Sequence, residues 1–116
     1  MENTVLIKIK DAKIEYPFSL FDDNVVKIEI ADVEIYVKYF EQDDSFIVFD
    51  GGFTIVECIE RFGDSEKIFK KVQKVLEKYE VNKDEGKEPL YLECDASSLK
   101  ENIDKLISAE LEILGV

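Results

Sequence analysis

The chain has no histidine and no tryptophan, one arginine, one methionine, two prolines and two cysteines. Without histidine, Ser–His and Cys–His nucleophile systems are excluded. The commonest general base and the commonest metal ligand go with it. Cys58 and Cys94 form no CxxC or CxxH spacing, which argues against a zinc site. Both lie in apolar segments and read as buried thiols behaving as small hydrophobes rather than as a disulfide. No apolar run reaches the roughly 18 residues of a membrane-spanning helix. The start, Met1-Glu2-Asn3-Thr4-Val5, lacks a basic region followed by an apolar stretch, so the expected location is cytoplasmic. A phosphate loop is missing as well, because Gly51-Gly52 is not followed by the required lysine.

Charge is what the chain has in quantity. Twenty-seven acidic residues stand against 15 basic ones, a net charge of −12. That excess disfavours direct contact with nucleic acid or with an anionic membrane. It leaves open a basic protein partner, including one whose nucleic-acid site an acidic chain would occupy as a decoy. The length of 116 residues fits a single domain able to bury a core without staples.

Val5, Ile7 and Ile9 alternate with polar positions and read as a strand. Residues 11–24 resist assignment; Tyr16-Pro17-Phe18 cannot lie inside a helix and Asp22-Asp23-Asn24 is turn chemistry. Val25 to Ile30 alternates, and Ala31-Asp32 is read as a turn. Val33, Ile35, Val37 and Tyr39 then face one way while Glu34, Tyr36, Lys38 and Phe40 face the other. Phe46 to Phe49 closes an antiparallel meander.

The period changes after Asp50-Gly51-Gly52. Thr54-Ile55-Val56-Glu57 fits a capping box for a helix over 55–62 ending at Gly63, with a strand as the competing reading. Over 66–80, Ile68, Phe69, Val72, Val75, Leu76 and Tyr79 recur at helical spacing, capped by Asp64 or Ser65. A polar loop over 82–89 leads to a strand on Leu90, Leu92 and Cys94. Ser98-Leu99-Lys100-Glu101 reads as a second capping box, opening a helix with Leu99, Ile103, Leu106, Ile107, Leu111 and Leu114 on one face. The expected fold is α+β, an antiparallel sheet (a meander plus one returning strand) packed on one face by about three helices.

Residues 33–113 resemble an uncharacterised prokaryotic and phage family, domain of unknown function eighteen twenty-eight. The resemblance rests on Ile35-Tyr36-Val37, on Phe46 to Phe49 followed by Asp50-Gly51-Gly52 and Thr54, on Gly63, on Tyr79-Glu80-Val81, and on Leu90-Tyr91-Leu92-Glu93 with the closing helix. It implies the order of the elements and no catalytic residue. Members of that family start with a helix, where the pattern here reads as strands.

The candidate contact residues are five lysines on one side of the 66–80 helix, Lys67, Lys70, Lys71, Lys74 and Lys78, together with the turn Asp50, Gly51 and Gly52. A solvated lysine face supported by pairs such as Glu66–Lys70 is the plain alternative. Asp50 has its own plain role, as turn former and acceptor for backbone donors. The expected function is a non-catalytic protein–protein binding module, with no cofactor. The alternative is a small metal-dependent hydrolase or metal-binding protein in which Asp50, Glu57 and Glu60 hold Mg²⁺. Glu110 falls inside the last helix's apolar stripe, and is expected to overhang the core and reach water, or else to pair with a lysine or mark a contact surface. An uncovered sheet face with Tyr36 and Phe40 would make the chain a two-fold homodimer.

Overall fold

The computed structural model describes residues 3–30, 33–84 and 90–115. Four helices and six strands follow in the order α1 (Thr4–Asp11), β1 (Phe18–Asp22), β2 (Val25–Ile30), β3 (Val33–Phe40), β4 (Ser45–Phe49), α2 (Phe53–Phe62), α3 (Glu66–Tyr79), β5 (Asn82–Lys83), β6 (Leu90–Asp95) and α4 (Leu99–Leu114). The strands make one sheet in the order β1-β2-β3-β4-β6-β5, and every described pairing is antiparallel. The fold is therefore α+β, with the meander and the returning strand β6 beside β4. The expected turn at Ala31-Asp32 lies outside the described residues.

The inward alternation holds. Val33, Ile35, Val37 and Tyr39 of β3 and Phe46 and Val48 of β4 are buried in one core with residues of all four helices. Four helices contribute to that core rather than three, because the chain begins with a helix where strand alternation was read. Asn3 caps α1, its side-chain oxygen accepting from the N–H groups of Val5 (2.9 Å) and Leu6 (3.4 Å). Only Val5 and Ile9, four residues apart, are buried on it, while Ile7 is 36% exposed. The i,i+4 pair meets the core and the i,i+2 pattern is incidental. Lys8 then reaches Asp44 (3.1 Å), which also accepts from the Tyr39 hydroxyl (2.7 Å), tying α1 to the β3–β4 turn.

Helices α3 and α4 match the expected spans, with two corrections to their apolar stripes. Phe69 and Leu111 are 42% and 47% exposed, whereas Ala109 and Glu110 are fully buried. Ser65 caps α3 as expected, accepting from the Ile68 N–H. Ser98 does not cap α4 with its side chain. The Asp95 carboxylate does that work one step earlier, accepting from the N–H and the hydroxyl of Ser98 and from the Ser97 hydroxyl around a short 3₁₀ turn, Ala96–Ser98.

Candidate functional site

Strand β4 ends at Phe49, and the chain turns from Asp50 into α2 through Gly51 and Gly52, both at positive φ (+68° and +87°). A Cβ at Gly51 would come within 3.2 Å of the Tyr36 ring, so both the backbone angle and the contact call for glycine. The Asp50 carboxylate is wholly buried and serves three backbone donors. Oδ1 accepts from Gly52 N–H (3.0 Å) and Leu90 N–H (2.8 Å), and Oδ2 from Thr54 N–H (3.0 Å). It welds the β4–α2 turn to the first residue of β6. Asp50 cannot touch a partner, which corrects its placing among contact residues; Gly51 is exposed and Gly52 half-buried.

The capping box at Thr54–Glu57 is also overturned. Helix α2 starts from Gly52 with no side-chain cap, and Thr54 does not act as one: its own N–H donates to Asp50 Oδ2. The Thr54 hydroxyl instead donates to Glu110 Oε1 at 2.6 Å, across 56 residues of sequence. Glu57 bonds Arg61 one turn on. Glu110 does not reach water: it is fully buried, and among the described residues it has no lysine partner and its Oε2 has no hydrogen-bond partner. Burial pushes its carboxyl up to about 9; the Thr54 hydrogen bond opposes that rise and the charges of Asp50 and Glu34 add to it. At neutral pH Glu110 is a neutral acid.

No group of three or more Cys, Asp or Glu side chains among the described residues is arranged to hold a metal ion. Asp50 is enclosed, Glu57 is engaged with Arg61, and Glu60 points to solvent. Cys58 is buried and Cys94 half-buried, both as free thiols. Burial raises both thiols, that of Cys94 to about 11. Neither is poised as a nucleophile.

The five lysines of α3 are all exposed and fall within roughly a 100° arc of the helix, given 3.6 residues per turn. Lys70 pairs with Glu66 (3.4 Å) and Lys78 with Glu112 of α4 (2.9 Å). Lys67, Lys71 and Lys74 make no ion pair among the described residues.

The outward face of the sheet is the second open surface. Tyr36, Phe49 and Tyr91 lie side by side across β3, β4 and β6. The Tyr36 and Phe49 rings stack at 5.4 Å, and Phe21 meets Tyr36 edge-on at 5.0 Å. These residues and Phe40 are no part of the core. The sequence pattern pointed to Tyr36 and Phe40 but missed Phe21. Phe21 lies at a register shift between Leu20 and Asp22, against Tyr36 and 61% exposed, within the 11–24 stretch that the sequence pattern does not assign.

No family model, curated protein or solved structure matches the chain. No helix among the described residues is long and apolar enough to cross a membrane.

Proposed function

We propose that this protein is a non-catalytic protein-binding module whose α3 lysine face docks an acidic protein surface. The observation that carries the reading is the exposed trio Lys67, Lys71 and Lys74, without an ion pair among the described residues, on a chain of net charge −12. Cations gathered on one helix in an acidic molecule steer a partner of opposite sign and orient it on arrival. The carboxylates that would serve chemistry are meanwhile committed to the fold, Asp50 to three N–H groups and Glu110 to Thr54. Nucleic acid fits the stripe less well than a protein does. The single arginine, which would give bidentate phosphate contacts, is held by Glu57, and the acidic remainder repels a polyanion that runs past the helix.

The test is a titration with a carboxylate-rich synthetic peptide and with single-stranded DNA of equal charge. Peptide binding that weakens with salt and drops at least about tenfold in Lys67→Glu/Lys71→Glu/Lys74→Glu, with an unchanged circular dichroism spectrum, is the expected result. A triple variant that binds like the parent, or DNA that binds more tightly than the peptide, would refute it. Turnover of a phosphoester or peptide substrate that disappears in a folded Glu57→Gln variant would refute the non-catalytic part.

A further inference from the structure

The open sheet face is aromatic and carries charges of both signs, Lys27 and Lys38 against Glu29, Glu34, Glu93 and Asp95, the last in the row Phe40–Ser45–Asp95. Lys27 is satisfied within the chain, bonding Glu29 (3.1 Å) and Glu34 (3.3 Å). Among the described residues Lys38 and Glu93 make no ion pair, and neither does Asp95, whose carboxylate accepts from Ser97 and Ser98. Lys38 and Glu93 sit in one cross-strand row, Lys38–Ile47–Glu93, with β4 between them. The neighbouring row is Tyr36–Phe49–Tyr91.

We infer that this face binds a second copy of the same chain, sheet on sheet, about a two-fold axis running along β4. Rotation about that axis exchanges the β3 and β6 sides. Lys38 of one copy then lies over Glu93 of the other and Tyr36 over Tyr91, while Phe49 and Ile47 meet their own images. A two-fold interface must be self-complementary, and a row with opposite charges at equal distances either side of its centre meets that condition. Sheets packed face to face keep their strands within about 30° of parallel, which holds these pairs in reach. A second copy is matched here by position rather than by net charge, because the axis sets each Lys38 against a Glu93.

Across an axis along β4 the strands β3, β4 and β6 overlap fully and β2 meets only the two-residue β5. Three strands at about 4.8 Å spacing and about 20 Å length contribute a projected area of about 300 Å² per chain, a small interface held by its central rows. At the β1 edge Phe21, edge-on to Tyr36 and 61% exposed, adds a large apolar ring at the rim of the aromatic row. The inference is independent of the α3 reading: the dimer leaves α3, on the helical side, free on both copies.

Sedimentation equilibrium of the full chain at micromolar concentration tests it. A species of twice the 13.4 kDa chain mass is expected. Phe21→Asp, at an exposed rim position, and the single reversals Lys38→Glu and Glu93→Lys should each weaken the dimer about tenfold or more, while Lys38→Glu combined with Glu93→Lys should restore it. A species of 13.4 kDa at every concentration overturns the inference. So does a dimer indifferent to Phe21→Asp and to both reversals, or one lost only when Lys67, Lys71 and Lys74 are reversed.

Discussion

Two carboxylates are equally buried in this protein and are held in opposite ways. Asp50 sits in a turn, where backbone N–H groups have no partners of their own, and it collects three of them. Glu110 sits inside α4, about one turn before its end, where the backbone donors are already used within the helix, and it receives one hydroxyl. A buried carboxylate is tolerated in proportion to the donors that replace its water. The turn offers such donors and the helix interior does not, so Asp50 organises its surroundings while Glu110 is forced towards its neutral form.

The largest effect should come from removing the better-satisfied group. Asp50→Ala strands the N–H groups of Gly52, Thr54 and Leu90, two of them at buried bonds. We expect a loss of about 3–5 kcal/mol in urea denaturation, with Asp50→Asn in between because it keeps one acceptor oxygen. A loss under about 1 kcal/mol would mean that these donors find other acceptors, and the contrast with Glu110 would dissolve.

Glu110 should respond in the opposite direction. Its carboxyl is held at about 9 in the folded chain against 4.5 for the ordinary group. The native state therefore keeps a proton that the unfolded chain releases, and between these values stability falls as pH rises. The contribution is complete below 4.5 and gone above about 9, with a slope of at most about 1.4 kcal/mol per pH unit between. Glu110→Gln never releases a proton, so it should raise stability by about 3 kcal/mol at pH 7 and flatten the alkaline limb. Denaturation midpoints of both chains from pH 5 to pH 9 check this, and parallel curves would contradict it. Asp44, Asp95 and Glu112 act on the acid side. Their carboxyls are lowered, chiefly by hydrogen bonds from Tyr39, from Ser97 and from Lys78 respectively, so their support is lost on acidification.

How much of this was legible in the sequence follows from the range of each interaction. Local periodicity placed β3, β4, α3, β6 and α4, because each buries one side of a regular element. It misread α1, where Val5, Ile7 and Ile9 satisfy strand alternation while Val5 and Ile9 alone also satisfy a helical face. It misassigned Thr54 as a cap because the group that serves its N–H, Asp50, lies before the turn rather than within the box. Glu110's phase in α4 was legible and its partner was not, since a contact spanning 56 residues leaves no local pattern. The α3 lysines were readable as a stripe, though not that Lys78 is bound to α4 while Lys67, Lys71 and Lys74 make no ion pair among the described residues.

The smallest expected effect sharpens the comparison at the next residue. The apolar pattern placed Leu111 in the stripe of α4 and made Glu110 the intruder; the structure buries Glu110 and leaves Leu111 47% exposed. One residue of helix is about 100° of rotation, so positions 110 and 111 cannot both lie at the centre of the buried face. Ala109, Glu110, Ile113 and Leu114 are buried on α4's last turns, which fixes the inward direction between them and turns Leu111 away. Leu111→Gln should then change stability by no more than about 0.5 kcal/mol, as surface substitutions do. Ala109→Gln, two residues before it and fully buried, should cost several times as much through overpacking and an unpaired amide. If Leu111→Gln proved the costlier of the two, α4 would be rotated, Glu110 would face water, and both its raised carboxyl and the pH dependence built on it would fall with the burial.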